Sequence, residues 1–260
     1  MYILSDNEIE KVVKRLETFI LDTLKSANKS KIVLGLSGGL DSAVAAVLAK
    51  RSISSSNIIC LYLPYDTSSP QSKKDAELLA DTHGLTLDEV SISPMVNAYF
   101  DNYENDANKL RRGNFMARQR MCVLFDASAE HDALVLGTSN RSEILLGYGT
   151  LYGDLACGLN PLGGLYKTWV RQIAAYIGVP DKILSKTPTG DLWPDQTDES
   201  EMGLTYAEAD SVLYKLYDMK GDREEIIKEH SFELVEKIES MVARNRFKSV
   251  LPKIADPFSD

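Results

Sequence analysis

A chain of 260 residues can bury a substantial core, as one large α/β unit or two small ones. With 26% charged and 44% hydrophobic residues, and no apolar run near the roughly 18 residues of a membrane span, it reads as neither disordered nor membrane-spanning. The formal net charge of −9 argues against general nucleic-acid binding, so an anionic ligand needs a local basic cluster. Met1 to Glu8 lack the basic region and long apolar core of a signal peptide. Cys60, Cys122 and Cys157 are far apart and form no C-x-x-C pair, so a cytoplasmic protein without a disulfide framework or zinc site is expected. No repeat or linker divides the chain, and residues 1–260 are read as a single domain.

Ser5 and Glu8 have capping-box spacing, and Ile9, Val12, Val13, Leu16, Phe19, Ile20 and Leu24 follow the helical period. A first amphipathic helix is predicted there. The apolar run Lys31 to Leu36 reads as a buried strand. It enters the turn Ser37-Gly38-Gly39-Leu40-Asp41-Ser42 and then the Ala/Val/Leu-rich stretch Ala43 to Ala49, read as a helix. Glycines in such a turn let backbone N–H groups close around an anion, and the helix N-terminus points its positive end at the same spot. Asp41 adds a carboxylate suited to a magnesium-bound polyphosphate. A turn whose glycines serve geometry alone is the competing reading. Hydroxyls, glycines and an acid within six residues weigh against it. There is no Gly-Lys-Ser/Thr and no G-x-G-x-x-G, so this is neither a Walker A loop nor a dinucleotide fingerprint.

Asn57 to Leu63 reads as a second buried strand ended by Pro64, Ser69 to His83 as a helix, and Leu85 to Ile92 as a third strand. A long helical tract follows from Val96 to Glu130, broken near Gly113. Ala133 to Gly137 is a fourth strand running into Thr138-Ser139-Asn140. This alternation implies an α/β fold with a doubly wound parallel sheet covered on both faces, and added C-terminal helices. Ligands then lie beyond the carboxyl ends of the strands, which makes Ser37 and Thr138 neighbours.

Lys109 to Arg120 holds five basic residues and no acid, an anion site or a solvated helix face. Asn114 and Arg118, four apart, share one face of that helix. Glu143 is either a second magnesium carboxylate opposite Asp41 or the capping partner of Asn140, and both readings stand. Lys167, after Gly163-Gly164-Leu165-Tyr166, is a phosphate-binding charge or a surface lysine at a helix start. Ser185 to Leu204 carries the breakers Pro188, Gly190 and Pro194 and the acids Asp191, Asp195, Asp198, Glu199 and Glu201. A structureless connection of about twenty residues is a lid or a solvated loop. Thr205 and Glu208 form a capping box for the C-terminal helices, and Lys237, Arg244, Arg246, Lys248 and Lys253 make the tail basic. His83, His131 and His230 sit apart, with no Ser or Cys nucleophile motif beside them.

Gly35-Leu36-Ser37-Gly38-Gly39-Leu40-Asp41-Ser42 resembles the pyrophosphate loop of the N-type ATP pyrophosphatases, whose fold is Rossmann-like and adenine nucleotide alpha hydrolase-like. Members of that class cleave ATP between the α- and β-phosphates and pass AMP to a substrate oxygen. Gly113-Asn114-Phe115-Met116-Ala117-Arg118-Gln119-Arg120-Met121 resembles the G-N-x-x-A-R-x-R-M signature of NAD synthetases. Gly137 to Glu143 is similar to their G-T-x-N-x-x-E segment. Tyr152-Gly153-Asp154, Asn160-Pro161-Leu162 through Lys167, Pro188 to Trp193 and Gln196 to Glu199 match in order and spacing.

The resemblance implies that Gly35, Leu36, Ser37, Gly38, Gly39, Leu40, Asp41 and Ser42 bind ATP, with Thr138, Lys167 and Thr189. It implies Asp41 and Glu143 as magnesium ligands and Asp41, Asp154 and Lys167 as catalytic residues. It places deamido-NAD near Asn114, Arg118, Asp154 and Lys248, partly across a homodimer interface. Many bacterial members have Lys at the position of Leu151, Asp at Gly158 and His at Phe247, all in the deamido-NAD site. Glutamine-dependent members carry a separate amidase domain with a catalytic cysteine, for which this chain has no room. Ammonia is the implied donor, free or delivered by a separate glutaminase. The implied reaction is adenylation of deamido-NAD by magnesium–ATP, then amidation to NAD. The competing readings are another ligase of the same class with a different carboxylate acceptor, and a non-catalytic nucleotide-binding protein.

Overall fold

The computed structural model describes residues 3–104, 106–193, 195–252 and 254–255. Met1, Pro194 and Lys253 lie outside the described residues. The strands are β1 (Lys31–Gly35), β2 (Ile58–Tyr62), β3 (Leu87–Glu89) and β4 (Ala133–Val135). They form one parallel sheet in the order β3-β2-β1-β4. β1 is central, with Val33 opposite Ile59 on one side and Val135 on the other.

Each parallel step needs a crossover, and helices supply them. After α1 (Asp6–Ser26), α2 (Leu40–Ser52) links β1 to β2 and α3 (Pro70–His83) links β2 to β3. The pair α4 (Ser93–Tyr103) and α5 (Lys109–Glu130) leads into β4. The strand alternation divides the core between two faces. Ile32, Leu34 and Cys60 pack with α1, α2 and α3, while Val33, Leu61 and Leu63 pack with Val96, Phe100 and Met116 from α4 and α5. Ala43 to Ala49 of α2 are all buried, which is why that helix is apolar on every side.

After β4 come α6 (Arg141–Leu146), α7 (Lys167–Tyr176), α8 (Asp181–Leu184) and α9 (Asp198–Met202). Then follow α10 (Tyr206–Leu213), α11 (Arg223–Glu229) and α12 (Phe232–Asn245). Leu146, Tyr166, Tyr206, Val212, Val235 and Ile238 join these helices in an apolar cluster of their own. The Ser5/Glu8 and Thr205/Glu208 capping boxes both form. No helix among the described residues is long and apolar enough to cross a membrane.

Three expectations need correction. The strands are shorter than the apolar runs, and β2 and β3 are trimmed at both ends. Gly137, read as strand, instead donates its N–H to the Leu159 carbonyl at 2.7 Å. The break in the long helical tract falls after Tyr103, and Asn108 caps α5 by accepting from the Arg111 N–H at 2.9 Å. Gly113 lies inside α5, and a Cβ there would stand 2.9 Å from Leu192 Cδ1. It permits close approach of a distant segment and breaks nothing. The stretch Ser185 to Leu204 is irregular only in part. Its end forms α9, capped by Thr197, with Asp198, Glu199 and Glu201 at the positive end of the helix.

Candidate active site

The site begins where β1 turns into α2. Gly38 has φ +76°, and a Cβ there would run into the Ser72 carbonyl oxygen of α3, so only glycine closes this turn. Gly38 packs behind the loop. Gly35, Leu36, Ser37, Gly39, Leu40, Asp41 and Ser42 line a cleft of about 490 Å³. Serines shape the turn from within. The Ser37 N–H donates to Ser42 Oγ at 3.2 Å, the Gly39 N–H to Ser37 Oγ at 3.3 Å, and the Ser42 hydroxyl to the Gly39 carbonyl at 3.1 Å. Gly39 stands at the N-cap of α2 and brings no capping side chain, so the positive helix end is open to an anion.

Three charged groups meet at that helix end. Asp41 Oδ2 accepts from the Lys167 ammonium, and Oδ1 accepts from Asn140 Nδ2 at 3.0 Å. The same ammonium donates to Glu143 Oε1 at 3.3 Å. Glu143 Oε2 accepts the Asn140 N–H at 3.2 Å, while the Asn140 side chain accepts the Glu143 N–H at 3.0 Å. Glu143 therefore caps α6 with one oxygen and meets Lys167 with the other. Lys167 is only 3% exposed, which rules out the surface-lysine reading. Its backbone N–H donates to Ser142 Oγ at 2.9 Å, and Ser142 donates in turn to Asp210, which also accepts the Thr168 N–H at 2.8 Å. This chain of bonds ties the start of α7 to α6 and α10.

Burial alone pulls the Lys167 pKa down, but Asp41 and Glu143 reverse that and hold it above the ordinary lysine value. Burial pushes Glu143 up to about 8 against the pull of Lys167, with Asp41 and Asp198 adding to the rise. Tyr206 covers the ammonium, its ring centre 5.0 Å from Nζ, and its hydroxyl lies 3.1 Å from Asp198 Oδ2 and 3.4 Å from Glu143 Oε1. Two carboxylates converging on one cation suit magnesium. That ion takes one or two protein carboxylates and completes its shell with phosphate oxygens and water.

A second cluster lies further along the cleft. Thr150 Oγ1 donates to Asn114 Oδ1 at 2.8 Å, and the Thr150 N–H donates to Asp154 Oδ1 at 2.9 Å. Lys248 Nζ donates to the Gly147 and Gly149 carbonyls at 2.8 and 3.0 Å. Burial raises the Asp154 carboxyl against the Thr150 hydrogen bonds and Lys248. Thr138 and Thr189 line the same cleft. Arg118 does not line it. That side chain is exposed, and Nε donates to the Leu151 carbonyl at 3.2 Å. Arg120 lines the cleft in its place, held by the Leu63 carbonyl at 2.9 Å. Elsewhere in the basic stretch, Arg111 pairs with Glu104, and Arg112 lies over the Phe100 ring at 4.4 Å. These two belong to local packing.

Thr187 to Trp193 border the cleft, as a lid would. The Asp191 carboxylate accepts the Ser69 N–H at 3.1 and 3.2 Å, and the Leu192 N–H donates to Gln196 Oε1 at 2.8 Å. Sequence reasoning read Asn140 only as a helix cap and gave no site role to Arg120, Asp198 or Lys186. The first three stand inside the family-like motifs, so a signal was present. Lys186 had none.

A strand–glycine turn–helix cradle at the carboxyl edge of a parallel sheet, with paired acids and a buried lysine, defines a nucleotide-binding α/β protein. The family model for NAD synthase matches residues 12–252, and the chain belongs to that family. The NH(3)-dependent NAD(+) synthetase of Trichlorobacter lovleyi is 49% identical, over 94% of this chain and 90% of that protein. The NMN synthetase structure from Francisella tularensis superposes with a TM-score of 0.86 at 31% identity, covering 98% of this chain and 100% of that one. The NH3-dependent NAD synthetase from Campylobacter jejuni, solved with nitrate, gives 0.81 at 32% identity, over 95% and 99%.

Proposed function

We propose that this chain is a ligase that amidates deamido-NAD to NAD, consuming ATP and ammonia and releasing AMP and pyrophosphate. One observation carries the reading: Asp41, at the positive end of α2, shares the Lys167 ammonium with Glu143 inside the cleft that the glycine turn opens. In the first step the nicotinate carboxylate attacks the α-phosphorus of ATP. The bond to the β-phosphate breaks and pyrophosphate leaves. In the second step ammonia attacks the acyl carbon, AMP departs and a proton is shed.

The residues from Gly35 to Ser42, with Thr138, Lys167 and Thr189, are assigned to ATP. Asn114, Asp154 and Lys248 are assigned to the acceptor. The chain need supply no nucleophile; alignment and charge stabilisation carry the rate. Lys167 balances charge at the phosphates. Asp154, with its raised carboxyl, is the group assigned to take the proton that ammonia sheds. Asp41 and Glu143 would hold magnesium, which supplies charge neutralisation of the phosphates. The segment from Thr187 to Trp193 excludes water from the adenylate.

Residues 1–260 are taken to work as one domain, and as a homodimer in which the exposed Arg118 reaches the acceptor of the other subunit. Exposed Tyr152 and Phe247, beside the acceptor residues, support that arrangement. Three free thiols fit a reducing cytoplasm. Ammonia arrives free or from a separate glutaminase. The name of the Francisella neighbour, NMN synthetase, favours a second acceptor for testing, the acid form of NMN.

The test is product analysis after incubation with magnesium–ATP, ammonium and either acceptor. NAD, AMP and pyrophosphate in equal amounts from deamido-NAD establish the reaction. The same products with NMN in place of NAD, formed only from the mononucleotide, favour the second acceptor. AMP and pyrophosphate with neither amide point to uncoupled turnover or to another carboxylate acceptor. Nucleotide binding without ATP consumption reduces the protein to a binding module.

A further inference from the structure

We propose that Lys186, anchored by Asp75, is a positioning residue for the ATP site, locking the peptide between Gly38 and Gly39 so that the Gly39 N–H faces the phosphate cradle. The proposal rests on the reading of the glycine turn as the ATP site.

Lys186 lies outside every motif that suggested the site, at the root of the segment bordering the cleft. Its ammonium has three donors and three acceptors: the Gly38 carbonyl at 3.1 Å, Ser72 Oγ at 3.3 Å and Asp75 Oδ2 at 3.0 Å. Asp75 is only 1% exposed. It also accepts from Gln71 Nε2 at 2.6 Å and pairs with Lys182 at 3.3 Å. A buried carboxylate on α3 thus pins a cleft-lining lysine from a distant loop against the Gly38 carbonyl.

The consequence follows from peptide geometry. In a trans peptide the C=O and the next N–H point in opposite directions. Lys186 holds the Gly38 carbonyl on the α3 side. The Gly39 N–H is therefore turned inward, 3.3 Å from Ser37 Oγ. Glycine flanks this peptide on both sides, so no Cβ resists a flip. A flipped peptide would aim a carbonyl oxygen at the phosphates in place of a donor. The two glycines that let the turn form also leave it free to invert, and the Asp75–Lys186 pair removes that freedom.

The test is Lys186→Met, measured by KM for ATP, KM for the acceptor, calorimetric binding of magnesium pyrophosphate, and thermal unfolding. KM for ATP and the pyrophosphate Kd should each rise about tenfold, as for loss of one charge-assisted hydrogen bond. The acceptor KM should stay near wild type, while the unfolding temperature should fall, because the buried Asp75 carboxylate loses one of its two lysines. Lys186→Arg should recover part of the loss, and Asp75→Asn should move the same two constants in the same direction. A Lys186→Met protein with unchanged ATP and pyrophosphate binding, whether or not its unfolding temperature drops, overturns the proposal alone. Wild-type protein that binds neither ATP nor pyrophosphate overturns the proposal and the ATP reading beneath it.

Discussion

Lys167→Met removes the cation that Asp41 and Glu143 share and keeps a stem of similar length. The lysine side chain is 4% exposed, and the two carboxylates 16% and 15%. Removing one partner of a buried pair costs about 3–5 kcal/mol. Two features place this case at the low end. Both carboxylates keep some contact with water. Glu143, pushed up to about 8 by burial, is already largely protonated at neutral pH, so Asp41 is the main charge left without its partner. A loss of about 3 kcal/mol is therefore expected. For a chain of this size each kcal/mol moves the midpoint by roughly 2–4 °C, so the drop should be roughly 6–12 °C.

Magnesium supplies the control. With the ammonium absent, the two carboxylates face each other across a gap that a divalent ion fills. Millimolar magnesium should raise the midpoint of the variant more than that of wild type. Pyrophosphate release should fall by about 10²–10³-fold in either condition, since the lysine charge at the phosphates is not replaced. The assay is thermal unfolding by circular dichroism at neutral pH, with and without magnesium, beside pyrophosphate release. A variant as stable as wild type would refute the charge argument. Wild-type turnover would remove Lys167 from the catalytic group.

Other outcomes follow from the same geometry. Because burial raises the Glu143 carboxyl from its ordinary 4.5 to about 8, the folded state binds that proton more tightly than the unfolded chain. Its stabilising contribution is complete below 4.5 and is lost as pH rises through about 8. Over that window wild type should lose stability relative to Glu143→Gln, and parallel pH–midpoint curves for the two proteins would contradict this. Arg118→Ala should raise KM for the acceptor and leave KM for ATP alone; an unchanged acceptor KM removes Arg118 from that site. Gly38→Ala, with its Cβ driven against the Ser72 carbonyl, should abolish nucleotide binding while the far-UV spectrum stays native. Tight ATP binding by that variant would show that the turn tolerates other shapes.

The parts of this site legible in the sequence are those whose chemistry is contiguous. Glycines, hydroxyls and Asp41 fall within one turn, and a strand and helix pattern on either side puts them at the edge of a sheet. Lys167 is 126 residues from Asp41, and nothing local distinguishes it from a lysine in water. Gly113 shows the same limit. A glycine in a helical run signals either a break or a close approach, and only the packing of Leu192 against it decides. Arg118 and Arg120 are two residues apart, roughly 200° around a helix, so they must face opposite ways. The sequence contains that opposition without saying which side meets the cleft. Glu143 is the instructive case, because its capping and site readings looked like rivals. A carboxylate has two oxygens. One can hold the helix end while the other faces a cation brought in by a distant element, and the cap is what aims that second oxygen. The local role is then a precondition of the site.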